Sequence, residues 1–183
     1  MPPFPKRYAD TVARLRVPSG FVLVVVFAWF SRPTARSLAL GLPFGLVGLA
    51  LRAWAAGCLA KNQQLATGGP YAYTRNPLYL GTLLVAAGLV VASRNIGLGI
   101  LFIAVFLLVY LPAIQLEEQH LRSLFPDFAP YAERVPALWP RLTPAPAKNP
   151  NPFQIALYLR NQEYQAGVGF AAGMLFLLWK VLG

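Results

Sequence analysis

Tyr71, Tyr73, Arg75, Asn76 and Tyr79 crowd into one short run, GPYAYTRNPLYLG at residues 69–81, inside an otherwise apolar chain. They offer aromatic faces, amide and phenol hydrogen-bonding groups and one permanent cation. Such a set suits a flat, polar, partly anionic molecule held at a membrane surface. A second polar cluster, Glu117 and Glu118, follows the next apolar stretch. The two clusters together point to a membrane enzyme rather than an anchor.

The elements that must position them are set by composition. Of 183 residues, 57% are hydrophobic and only 12% charged, with a mean hydropathy of +0.52. Soluble domains carry roughly 25% charged residues, so the deficit identifies a bilayer as the solvent. A net charge of +10 fits nucleic acid or anionic lipid. In an apolar chain whose basic residues gather in loops, membrane lipid is the expected partner and nucleic acid is not. Cys58 is the sole cysteine, which excludes an intrachain disulfide and reads as inert packing. His120 is the sole histidine, so no histidine-rich metal site or Ser-His-Asp triad is expected. The basic, proline-rich start (Pro2, Pro3, Pro5, Lys6, Arg7) lacks the apolar core and cleavage site of a signal peptide.

Apolar length predicts an all-α polytopic fold with about five transmembrane helices, since roughly 20 residues cross a bilayer. The candidate spans are 17–30, 38–59, 78–92, 96–116 and about 165–182. Ser93-Arg94-Asn95 is a tight polar turn, so the third and fourth should form an antiparallel hairpin that carries Tyr79 to Glu117. Residues 153–164 extend the last helix or lie along the interface. Pro126, Pro130, Pro136, Pro140, Pro144, Pro146, Pro150 and Pro152 predict an irregular, mostly extended segment over 126–152. After the glutamates, Leu124, Phe125, Phe128, Tyr131, Arg134 and Val135-Pro136 form an aromatic and basic block, either a lid on the site or a surface resting on headgroups. Trp54, Trp139 and Trp179 read as interface anchors.

Loop charge sets orientation. With the N-terminus in the cytoplasm, that side holds Lys6, Arg7, Arg14, Arg16, Lys61, Arg75, Arg122, Arg134, Arg141, Lys148 and Arg160. The far side holds only Arg32, Arg36, Arg94 and Lys180. Both polar clusters then face the cytoplasm. Arg52 stays inside a helix, where a cation costs about 3 kcal/mol or more at the bilayer centre and faces a partner or cavity, unless it snorkels from near the end.

GPYAYTRNPLYLG resembles the first motif of the isoprenylcysteine carboxyl methyltransferases, Gly-any-Tyr followed by Arg-His-Pro-any-Tyr. EEQHLRSLFPDFAPYAERVPALWP, residues 117–140, resembles their second, two glutamates and an aromatic run ending in Tyr, Arg, Val and Pro. The resemblance covers about residues 65–140, and both motifs stand in the family's order around a helical hairpin. Phospholipid N-methyltransferases and some sterol reductases share a related layout. The resemblance implies a single integral membrane domain over residues 1–183, with core motifs at 63–140 and an added C-terminal helix.

It also implies S-adenosyl-L-methionine as cofactor and a lipophilic small-molecule or lipidated methyl acceptor. Gln63, Gln64, Leu65 and Ala66 match a cofactor-binding stretch, as do Tyr71, the block Asn76, Pro77, Leu78 and Tyr79, and Glu117. Glu117 would take the cofactor's ammonium and ribose, and Arg75, Asn76 and Gln64 its carboxylate. Arg75 and Glu118 are the expected catalytic residues; Glu118 or His120 would serve as base for an amine acceptor, whereas a carboxylate needs none. Asn76 replaces the family's histidine, and Ala113 stands where eukaryotic members place a substrate-binding arginine. A prenylcysteine carboxylate thus loses its expected cation. Phosphatidylethanolamine N-methylation, an NADPH-dependent reductase and a non-catalytic membrane protein are the alternatives.

Overall fold

The computed structural model describes Tyr8, residues 20–147 and residues 150–183. The chain is all-helical over this range, with no strand among the described residues. The helices are α1 (Gly20–Phe30), α2 (Ala35–Gly57), α3 (Pro77–Ser93), α4 (Ile96–Leu124), α5 (Phe128–Arg134), α6 (Ile155–Arg160) and α7 (Tyr164–Leu182). Three of them, α2, α4 and α7, are long and apolar enough to cross a membrane; α1 and α3 are apolar but shorter. The start of the first predicted span, the N-terminal run holding Lys6, Arg7, Arg14 and Arg16, and Lys148 lie outside the described residues.

Helix α2 starts at Thr34, whose hydroxyl accepts from Ser37 N–H at 3.2 Å while Ser37 Oγ accepts from Thr34 N–H at 2.9 Å. This reciprocal cap satisfies two amides that a helix start leaves open. The α2–α3 seam is built from glycines. A Cβ at Gly41 would sit 2.3 Å from the Gly88 carbonyl oxygen, and one at Gly48 would sit 2.7 Å from that of Gly81. Without side chains there, the two backbones come into direct contact. Small residues carry such seams in membranes, where lipid and leucine are equally apolar and close packing supplies the attraction.

The predicted α3–α4 hairpin forms. Arg94 takes a left-handed φ of 52° to end α3, and Asn95 then caps α4 by accepting from Gly97 N–H at 2.9 Å. Helix α4 runs on to Leu124, past the expected end at 116, so Glu117 and Glu118 sit on its continuing face rather than at a terminus. Residues Phe106–Tyr110 adopt π-helical geometry just ahead of Pro112. Proline brings no N–H to the carbonyl of Leu108, four residues back, and the Tyr8 hydroxyl donates to that oxygen at 2.9 Å.

Two expectations need correction. The proline-rich segment contains α5, because Pro130 falls in its first turn, where no intrahelical donor is required. The remainder is irregular and lies along residues 72–75: Arg75 N–H donates to Pro136 O at 2.9 Å and Ala145 N–H to Ala72 O at 2.9 Å. Of the two readings of residues 153–164, extension of α7 as one continuous helix does not hold. These residues fold into α6, which is split from α7 by a turn with Gln162 at φ 54°. Phe153 packs so tightly on Gly57 that a Cβ there would lie 2.2 Å from the ring.

Candidate functional site

One end of the bundle gathers the C-terminus of α2, the start of α3, the last turns of α4, and α5 around a cleft of about 270 Å³. Gln64, Leu65, Ala66, Tyr71, Arg75, Asn76, Pro77, Leu78, Tyr79, Glu117 and Glu118 all line it. His120 lines it too, and Phe128 and Tyr131 from the aromatic block form part of its wall. Gln63 does not: with its amide oxygen and nitrogen exchanged, its oxygen accepts from the Arg160 guanidinium at 3.1 and 3.3 Å.

Tyr79 is in the first turn of α3, and its hydroxyl donates to Glu117 Oε2 at 3.2 Å, the contact the hairpin was expected to make. Its ring meets Tyr110 edge-on at 6.3 Å, from the π-helical turn of α4. Glu117 is solvent-exposed at the rim.

Arg75 is clamped. Its Nε and Nη2 donate to the two oxygens of Glu118 at 2.9 Å each, and Nη1 donates to Ala132 O at 2.7 Å and Val135 O at 2.8 Å. Four of its five N–H groups are used in this way. Asn76 Nδ2 adds a third bond to Glu118, at 3.1 Å, and a bond to Ala137 O at 2.9 Å. The bidentate pair fixes α3 to α4 and folds α5 over both. Arg75 and Glu118 also border a second cavity of about 220 Å³, walled by Leu111, Ile114, Gln119 and Arg122, so the ion pair is a partition common to the two.

Tyr71 is 6% exposed, and its hydroxyl is buried without a hydrogen-bond partner. Its carbonyl accepts from the Tyr131 hydroxyl at 2.8 Å. Burial pushes both phenols well above the usual tyrosine range; the neighbouring Tyr131 and Glu117 add to the rise at Tyr71, while Arg75 offsets part of it at Tyr131. A buried unpaired hydroxyl costs about 1–3 kcal/mol, and a ligand atom in the cleft would recover this.

Arg52 lies outside the cleft and has found a partner the sequence reading did not name. Its Nε donates to Glu163 Oε1 at 2.5 Å, and Nη1 reaches the Thr82 hydroxyl and, at 3.3 Å, Leu78 O. Glu163 sits at the N-cap of α7, and only its distance in sequence hid it. Lys61 and Asn62, which also line the cleft, carried no motif signal.

Residues 16–127 match the phospholipid methyltransferase family, and the chain belongs to it. It is thus a membrane protein of a methyltransferase family, with α1 to α4 and both polar clusters inside the matched region and α5 to α7 beyond it. A cobalt-zinc-cadmium resistance protein of Cupriavidus metallidurans is 38% identical over 108 residues, 56% of this chain and 50% of that protein. A nickel-cobalt-cadmium resistance protein of Alcaligenes xylosoxydans xylosoxydans is 36% identical over 118 residues, 63% of this chain and 54% of that one. The chain spans about half the length of these curated relatives. No solved structure matches it.

Proposed function

We propose that the protein is an S-adenosylmethionine-dependent methyltransferase acting on a lipophilic acceptor, with its cleft open to the cytoplasm. The observation that carries this reading is the cleft itself: both motif clusters meet there, with an unpaired buried donor at Tyr71 and an exposed carboxylate at Glu117. These donors fit the proposed cofactor, which presents an ammonium, ribose hydroxyls, a carboxylate and a flat base. Glu117 would hold the ammonium and ribose, with Tyr79 orienting its carboxylate. Tyr71 and Gln64 would supply hydrogen bonds, and Leu65, Ala66 and Leu78 the apolar walls against the base. When bound, the cofactor supplies a methyl group on a sulfonium, open to in-line attack.

The chain's own share of the work is placement and exclusion of water, worth roughly 7 to 11 kcal/mol in the best-oriented reactions. Arg75 and Glu118 fit a partition that holds cofactor and acceptor in register across the two cavities. Three N–H donors hold Glu118 in that partition. Glu118 or His120, both on the cleft wall, would take a proton from an amine acceptor, and a carboxylate acceptor would need none. The relatives' printed names concern metal resistance. Among the described residues no group of three or more His, Cys, Asp or Glu converges that could hold a metal ion.

Calorimetric titration of the detergent-purified chain with S-adenosylhomocysteine, with NADPH as comparison, tests the reading. Micromolar binding of the first alone is expected, lost in Glu117→Ala. Binding of NADPH instead, or of neither, would overturn it; unchanged affinity in the variant would remove Glu117 from the assignment.

A further inference from the structure

A third cavity, of about 290 Å³, opens where the loop after α2 meets α6. Lys61 and Arg160 line it, with the amides of Asn62 and Asn161 between them and Leu59 and Leu157 on its apolar wall. Among the described residues no carboxylate borders it. The acid nearest in sequence, Glu163, is 9% exposed and is engaged by Arg52. The carbonyls that end α2 would repel an anion, but Asn161 Nδ2 covers two of them, donating to Ala56 O and Leu59 O at 2.9 Å each. With its amide oxygen and nitrogen exchanged, Gln63 accepts from Arg160 Nη1 and Nη2, which leaves other guanidinium N–H groups for another acceptor.

We propose that this cavity is a binding site for the phosphate of an anionic membrane phospholipid, separate from the cleft. Two cations and the Asn62 amide over an apolar wall suit the phosphate of a diester, while both N–H groups of Asn161 stay on the α2 carbonyls. What commits the site to a lipid is its setting. Phe153, Ile155 and Leu159 on and beside α6 are at least half exposed, at 50%, 61% and 54%. They flank the basic cavity on a short helix held to the end of a membrane-crossing one, by Gln154 N–H donating to Gly57 O at 2.8 Å. A helix with apolar side chains turned out beside a basic pocket at the end of a span lies in the headgroup layer, its apolar residues among acyl chains. A phospholipid seated there would place its phosphate between Lys61 and Arg160 and its tails on Phe153, Ile155 and Leu159. Leu59, Lys61 and Asn62 also line the main cleft, so the bound lipid would brace the loop that forms one wall of it.

The test is native mass spectrometry of the full chain in detergent with phosphatidylglycerol, phosphatidylcholine or inorganic phosphate added. The wild-type chain should retain one phosphatidylglycerol preferentially over phosphatidylcholine, and millimolar inorganic phosphate should not displace it. Lys61→Gln with Arg160→Gln should weaken retention about 30-fold, two basic residues at their usual strength near an anionic surface. Arg32→Gln with Arg36→Gln, the same loss of charge at the other end of α2, should leave it unchanged. Equal retention by wild type and the first double variant, or equal loss in both, would overturn the site. Displacement by inorganic phosphate would overturn its assignment to lipid. Both side chains are exposed, so the variants should fold; if the double variant does not, each single change should show about half the effect in logarithmic terms.

Discussion

Arg75 and Tyr71 lie four residues apart and meet opposite fates. Arg75 carries the charge that drew attention in the sequence, yet its guanidinium is taken up by Glu118 and two carbonyls, which makes it a clamp. Tyr71 looked like one aromatic among several, and it holds the buried hydroxyl left without a partner. Removing that hydroxyl with Tyr71→Phe should leave apo stability unchanged or slightly higher, because the buried polar group goes with no bond lost. The same change should weaken S-adenosylhomocysteine binding by a few-fold up to about tenfold, the worth of one hydrogen bond. The phenols also fix a pH dependence. Their folded values are raised, so below the ordinary tyrosine value of about 10 they are protonated in both folded and unfolded chains and contribute no slope. Above it the unfolded chain releases protons first, and stability falls as pH rises. Thermal melts in detergent from pH 8 to 11 should show a decline confined to the alkaline end, shallower in Tyr71→Phe. A decline already present at pH 8, or identical in the variant, would refute the assignment.

At the scale of elements, the Arg52–Glu163 pair is the most telling contact. It ties α2 to the start of α7, and through the Leu78 carbonyl and Thr82 it also holds the first two turns of α3, which carry Leu78 and Tyr79 into the cleft. The side chains are 22% and 8% exposed, so each charge is largely desolvated. Removing one partner strands the other, which costs about 3–5 kcal/mol when the pair is fully buried and less here. Arg52→Met or Glu163→Leu alone should therefore lower the melting temperature by more than the double substitution does, a positive coupling in a double-mutant cycle. Additive effects would show that the pair holds nothing.

For the whole molecule, among the described residues Lys61, Arg75, Arg122, Arg134, Arg141 and Arg160 belong to the end that holds the three cavities, against Arg32, Arg36, Arg94 and Lys180 at the other, and the proposal that the cavity end faces the cytoplasm has a direct test. Cys58 is 2% exposed, so the native chain should be silent to thiol reagents and introduced cysteines should report cleanly. In intact cells a membrane-impermeant maleimide should label Arg32→Cys and spare Gln63→Cys until the membrane is permeabilised. The reverse pattern would invert the topology and place the cleft outside.

Sequence alone determined what depends on local composition. Apolar length set most of the helices, polar turn chemistry at Ser93-Arg94-Asn95 set the hairpin, and the hairpin by itself carried Tyr79 to Glu117. The motif runs also located most of the cleft lining, since a helix start and a helix end joined by a tight turn leave few places for those side chains to go. Tertiary structure decided whatever required counting partners across long separations. Whether Arg75 points into the cleft or into Glu118 depends on where the α5 carbonyls fall, and whether Arg52 is bare or neutralised depends on a glutamate at the far end of the chain. The glycine seam was visible as letters, but only the paired backbones show that Gly41 faces Gly88 and Gly48 faces Gly81. Helix α5 formed despite its proline because a first-turn position needs no donor, a fact of register that composition does not record. Charge and length are additive along a chain and can be read from it; hydrogen-bond satisfaction is a property of the packed whole.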